Sequence, residues 1–340
     1  MFLTPILPGM QSFIDPAILF FVFGIFAGCV KSNLEIPPQI SRFLSLYLLM
    51  ALGLKGGFAL AKSGLTAEVA ISLAAAVVLA VVVPLVGYFL LRRFLNGFDA
   101  AAIAATYGSV SAVTFITAVQ YLDTRGIAYG GHMAAAMALM ESPAIILAVV
   151  LANWTRQQAR KTEFAAVGSL PAQASSQTPL KKILHEALTD GTQLLLLGAM
   201  LIGVITGEKG AAAMQPFAVD LFKGMLAFFL LDMGLLAARN MAGLRGLSWW
   251  LLVYALCGPL VHASLALLLG WLTGASAGNT ALLMVLAASA SYIAVPAVIR
   301  HAIPEARASL YFGMSLGLTF PFNILLGIPL YVLVAQRVVG

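Results

Sequence analysis

The sequence predicts an all-α polytopic membrane protein: ten transmembrane helices in two inverted five-helix repeats, with helices 4 and 9 discontinuous. Composition, the length of the apolar runs and an internal duplication predict it. Hydrophobic residues make up 61% of the 340 and charged residues 9%, against roughly 45–50% and 25% in soluble domains. A soluble fold of this size has too little polar surface here to cover itself, so the bilayer is the solvent. Apolar segments of about 20 residues recur, the length at which a helix crosses ~30 Å of hydrocarbon. They are too long and too continuous for barrel strands, and helices are the other structure that satisfies its own backbone in lipid.

In chain order, the opening MFLTPILPGMQSF has no basic residue and no small-residue cleavage pattern before the first apolar run. The expectation is therefore that no signal peptide is removed. Spans 1 to 5 fall at about 15–31, 39–62, 67–92, 99–122 and 127–155. From Arg156 to Lys182 the runs RQQARK and SLPAQASSQTP read as a mobile basic linker. Spans 6 to 10 follow at about 183–206, 215–239, 246–273, 278–301 and 305–336. The domain reading is a first repeat over 1–158, a cytoplasmic linker over 159–182 and a second repeat over 183–340.

Basic residues set the orientation. With the N-terminus outside, 13 of the 19 Lys and Arg fall on cytoplasmic connections, among them Lys31, Arg42, Arg92, Arg93, Arg156 and Arg307. Both termini are then extracytoplasmic. The net charge of +6 resides mostly in this asymmetry and calls for no nucleic-acid partner.

The halves resemble each other at a spacing of roughly 175–181 residues. LLMALGLKGG lies over FLLDMGLLAA, with Gly53 on Gly234, and GSVSAVTF lies over ASASYIAV, with Ser109 on Ser289 and Ser111 on Ser291. Pro143 of ESP falls on Pro321 of TFP, and Asp15 and Gly28 fall on Asp190 and Gly203. An odd number of spans per repeat turns the second repeat upside down, the signature of alternating-access transporters.

Gly108-Ser109-Val110-Ser111 and Ser289-Ala290-Ser291-Tyr292 occupy the same mid-span place in the fourth span of each repeat, with Pro296 just after the second. Two readings apply. Small residues let membrane helices pack closely. Alternatively, the helices break here and their freed backbone groups line a polar cavity. A half-helix restarting at the break aims N–H groups and a partial positive charge at the gap, which suits a small anion.

Lys55, Glu141 and Asp232 lie inside predicted spans, where Lys or Asp costs on the order of 2.5–3.5 kcal/mol. Lys55 and Asp232 are expected to pair with each other across the pseudo-symmetry axis. Glu141, two residues before Pro143, combines a carboxylate with carbonyls freed at a kink, a pairing suited to Na+ or a proton; a structural ion pair is the alternative. Asp220 and Lys223, at i and i+3, read as a surface pair. Cys29 and Cys257 read as packing residues, with neither disulfide nor metal site supported. His132 and His262 lie in spans, but GxSxG, HExxH and Walker sequences are absent. A hydrolase would also leave the duplication unexplained, so no enzyme is expected.

LEIPPQISRFLSLYLLMALGLKGG, YGSVSAVTF, ESPA and AASASYIAVPAVIRHAIPEA together resemble the sodium-dependent bicarbonate transporter family, first known from cyanobacteria. The resemblance spans nearly the whole chain. It implies a core domain moving against a gate domain, each built from both repeats, in a multi-pass homotrimer of the bacterial plasma membrane. It also implies elevator-type uptake of bicarbonate with Na+ as coupling ion, and a PII-like regulatory protein on the cytoplasmic face. The anion site would be the backbone and hydroxyls of Gly108 to Ser111 and Ser289 to Ser291. The chain departs from cyanobacterial members in carrying Tyr292 within SASYI where they carry an Asp within SSSDI, Glu141 where they carry Asp, and Lys55 where they have no basic residue. A fixed ammonium at Lys55 would supply positive charge near the anion. Uptake of another small carboxylate, or Na+-independent facilitated passage, are the competing functions.

Overall fold

The computed structural model describes residues 15–167, 191–241 and 247–340. The first 14 residues, Asp190 and the linker from residue 168 onward lie outside that range. The described residues are helical, with no strand among them. Seven helical stretches are long and apolar enough to cross a membrane, and two shorter apolar helices accompany them.

The first half comprises α1 (Pro16–Cys29), α2 (Pro38–Ser63), α3 (Ala67–Leu91), α4 (Gly97–Gly108), α5 (Ala112–Thr124) and α6 (Met133–Val167). The second comprises α7 (Gly191–Gln215), α8 (Phe222–Met241), α9 (Trp249–Thr273), α10 (Ala277–Ala288), α11 (Ala294–Ala302) and a last helical stretch, α12 (Ala308–Val338). Starts are set by local chemistry. Asp15 accepts from Ala17 N with Pro16 in the first turn, and Thr66, Asn96 and Ser276 cap α3, α4 and α10 through their side-chain oxygens.

Two bodies emerge from the packing. In one, α2 runs along α7 and α1 runs along α8, the two most extensive helix contacts in the molecule. Glycines make that approach: a Cβ on Gly53 or Gly57 would overlap α7, and one on Gly24 or Gly28 would overlap α8. The second body joins α3, α4 and α6 to α9, α10 and α12. Its interior elements are α4 and α10, buried from Asp99 to Gly108 and from Gly278 to Ala288.

Several sequence expectations change. The helix of the fifth span continues to Val167, because RQQARK extends it rather than opening a linker. Spans 6 and 7 fall within Gly191–Met241, which Gly207 divides by leaving the helical conformation (φ 54°, ψ −138°), and a π-helical turn follows at Pro216–Asp220. In α12, π-helical turns flank Pro321, at Ser315–Thr319 and Asn323–Gly327, where a residue without N–H interrupts the ladder. Lys223 pairs with Asp15 at 3.0 Å rather than with Asp220, tying the start of α8 to the cap of α1. Cys29 and Cys257 are exposed on helix surfaces, not packed inside.

Candidate functional site

The site forms where α4 and α10 stop. Helix α4 ends at Gly108, whose missing Cβ leaves room for the Pro84 ring of α3; a Cβ there would lie 2.5 Å from Pro84 Cβ. Ser109 (φ −89°, ψ −177°) and Ser111 (φ −101°, ψ 110°) are extended, and α5 restarts at Ala112. Ser111 caps the restart by accepting from Thr114 N at 3.2 Å. Helix α10 ends at Ala288, Ser289 is extended (φ −80°, ψ 164°), and α11 restarts at Ala294. Ser291 Oγ accepts from Val295 N at 3.3 Å.

The two interruptions bond directly to each other. Ser111 N donates to Ser289 Oγ at 2.9 Å, and Ser291 N donates to the Thr106 carbonyl at 2.8 Å. Ser289 Oγ in turn donates to the Leu286 carbonyl at 2.9 Å. Asn323 Nδ2 donates to the Ala288 carbonyl at 2.8 Å, and Tyr331 holds the Asn323 amide at 3.0 Å. These bonds satisfy Ser111 N, Ser291 N and the Ala288 carbonyl among the backbone groups freed at the breaks. Two side-chain oxygens are not satisfied: Ser109 Oγ and Thr114 Oγ1 are buried with no hydrogen-bond partner among the described residues.

A cavity of about 60 Å³ lies against the crossing. Val110, Ser111, Ala112 and Val113 line it from the first break, and Ser291, Tyr292 and Ile293 from the second. Glu141 and Met137 come from α6, Thr192, Gln193 and Leu196 from α7, and Ser45 and Leu49 from α2. Both bodies therefore share its wall. Gln193 Nε2 donates to Glu141 Oε2 at 2.9 Å, a hydrogen bond from one body to the other. The volume is about two waters' worth, each ~30 Å³ in the liquid.

The sequence candidates separate into three groups. Val110, Ser111, Ser291, Tyr292 and Glu141 line the cavity. Gly108, Ser109, Ser289 and Ala290 are buried within or behind the crossing. Lys55 and Asp232 lie elsewhere and do not pair with each other. Lys55 Nζ meets Asp123 of α5 at 2.6 Å and lies 5.1 Å from the ring of Phe222, at the start of α8. Asp232 is 5% exposed; Ser41 reaches its carboxyl, and its Oδ2 has no hydrogen-bond partner among the described residues. The next residue, Met233, accepts from Tyr292 Oη at 3.7 Å.

Residues the sequence reading passed over include Thr192, Gln193, Asn323 and a pair of helix-start anchors. Asp99, in the first turn of α4, accepts from Arg307 N and Nε, both at 2.8 Å, just ahead of α12. Asn279, in the first turn of α10, accepts from Gly130 N at 2.6 Å, just ahead of α6, and donates to Glu68 at 2.8 Å. Polar residues inside apolar spans were the available signal, and Asp99 and Asn279 also fall at the repeat spacing.

The sequence profile of the Na+-dependent bicarbonate transporter superfamily matches residues 16–336. The chain belongs to this superfamily. The match takes in both interruptions, the cavity wall and both bodies. Membership in the Na+-dependent bicarbonate transporter superfamily and the run of apolar helices make this a multi-pass membrane protein of a transporter family, not of an enzyme family. No curated protein sequence matches the chain.

Proposed function

We propose that the protein takes up bicarbonate together with Na+ by alternating access, with the crossing of the two interrupted helices as the anion site. One observation carries the reading: capped restarts of two half-helices, joined by Ser111 N to Ser289 Oγ, border a small cavity that Glu141 also lines. The helix restarts and the serines Ser111 and Ser291 favour a small oxyanion, and the Glu141 carboxylate favours the cation that accompanies it.

The fold reading is ten spans in two inverted repeats. It is supported by the glycine pairs, Gly57 against Gly203 and Gly24 against Gly234, and by the Asp99 and Asn279 anchors. The body containing α4 and α10 then moves as an elevator against the body of α1, α2, α7 and α8. The Lys55–Asp123 salt bridge and the Gln193–Glu141 hydrogen bond cross that boundary, so a sliding motion has to break and remake them. The basic connections support extracytoplasmic termini. The family resemblance supports a bacterial plasma membrane, a homotrimer, and a PII-like partner on the cytoplasmic face.

The test is uptake of radiolabelled bicarbonate into proteoliposomes under inward Na+ or K+ gradients at matched ionic strength. Saturable uptake with Na+ alone is the expected result, and Glu141→Gln should raise the apparent KM for Na+ with insertion intact. Uptake indifferent to Na+ overturns the coupling, and no bicarbonate uptake under either gradient overturns the substrate.

A further inference from the structure

On the outer face of the second body, away from the crossing, α3 and α9 leave an open groove of about 260 Å³. Its walls follow successive turns of both helices, through Val86, Leu90 and Phe94 on one side and Trp250, Cys257 and Val261 on the other. Those side chains are exposed and, Cys257 apart, large hydrophobics. Glycine makes the groove deep: Gly87 leaves space that the Tyr254 hydroxyl approaches, and Gly258 presents no side chain.

The end of the groove differs from its length. Phe94 stacks on Trp250 at 5.4 Å, and Trp249 adjoins Trp250 at 4.9 Å. Arg92 and Arg93, directly before Phe94 at the C-terminal end of α3, are exposed, and the Arg92 guanidinium lies 4.7 Å from the Trp154 ring. Helix α9 begins at the same end, and Ser248 makes no side-chain cap to its first N–H groups. Exposed tryptophans mark the headgroup level of a bilayer, and arginines there attract anionic headgroups.

We propose that this groove is a binding site for an anionic phospholipid, with one acyl chain between α3 and α9 and the phosphate at Arg92 and Arg93. The apolar wall accepts an acyl chain, and the two guanidiniums at its mouth retain a lipid there only when its headgroup is anionic. By the distribution of basic residues this mouth faces the cytoplasmic leaflet. A lipid bridging α3 and α9 joins the two repeats at their outer surface, so its binding stabilises the moving body without touching the cavity.

The test uses the full chain with Cys29→Ser, which leaves Cys257 as the remaining thiol of the two. The protein is placed in nanodiscs of phosphatidylcholine, with or without phosphatidylglycerol, and labelled with uncharged N-ethylmaleimide. Phosphatidylglycerol should slow labelling of Cys257 on the order of tenfold, and Arg92→Gln with Arg93→Gln should remove the slowing. Equal rates in the two lipids overturn the proposal. So does slowing that survives in the double variant, since it then reports membrane charge in general. A second variant, Gly258→Leu, fills the groove and leaves the arginines; there phosphatidylglycerol should no longer raise the thermal unfolding temperature. A gain undiminished in Gly258→Leu rules out the acyl chain in the groove.

Discussion

The two interruptions use the same residues for different ends. At the second, Ser289 Oγ both donates to Leu286 and accepts from Ser111 N, while Ser291 N reaches back to Thr106. Its polar groups hold the crossing together. At the first, Ser109 Oγ and Thr114 Oγ1 are buried without partners among the described residues. The starts of the same helices differ too. Asp99 anchors α4 through an ion pair to Arg307, whereas Asn279, itself uncharged, anchors α10 by accepting from Gly130 N and donating to the Glu68 carboxylate. The second interruption's serines thus bond across the crossing, while two buried hydroxyls are left over at the first.

The largest test of this asymmetry is at the anchors. Asp99 is 1% exposed, so Asp99→Ala leaves Arg307 without its partner and the Arg307 N–H unsatisfied. The Arg307 side chain is 60% exposed, so the loss of stability comes from the hydrogen bonds to the carboxylate and should be about 1.5–3 kcal/mol, against about 1–3 kcal/mol for Asn279→Ala. Denaturant unfolding in detergent measures both, and a larger loss for Asn279→Ala would erase the advantage of the ion-pair anchor over the amide.

Next come the helix stops. Gly108→Val drives a branched side chain into the Pro84 ring and should lower stability by about 1–3 kcal/mol. Ala288→Gly at the matching position should cost at most about 1 kcal/mol.

The hydroxyls sharpen the comparison further. Ser289→Ala strips Ser111 N of its acceptor and should lose about 1–3 kcal/mol. Ser109→Ala removes a hydroxyl that has no partner among the described residues, so it should change stability by less than about 0.5 kcal/mol while lowering the rate of bicarbonate uptake. Full uptake in Ser109→Ala would show that the spare donor plays no part in the anion site.

The smallest effect is electrostatic and lies outside the membrane. The Arg156 guanidinium holds the Glu305 carboxyl below its ordinary range. A lowered carboxyl contributes stability above its unfolded pKa of about 4.3, lost as pH falls through the lower folded value. The pair is partly exposed, so Arg156→Gln should cost no more than about 1 kcal/mol over roughly pH 6–8. That cost should vanish in acid.

Much of the fold was legible because the bilayer is a demanding solvent. Apolar length marks helices, and the ends of α4 and α10 fall where GSVS and SAS interrupt apolar runs. Partners were less legible. Lys55 was read against Asp232, its rough repeat mate, yet it meets Asp123, 68 positions away. Gln193 passed as one polar residue in an oily span, and only the contact between α6 and α7 brings it to Glu141.

By itself, the sequence determined the solvent, the helical class and the superfamily, all of which rest on composition and local order along one dimension. Tertiary structure decided which serines line the cavity and which close the crossing, which carboxylate receives Lys55, and that Asp99 reaches Arg307 across 208 positions. The physical reason is that membrane helices apolar around much of their circumference carry little record of which face is inward. Rotation and crossing are set by where glycines let backbones touch and where prolines interrupt them, and these contacts exist only once the helices have met.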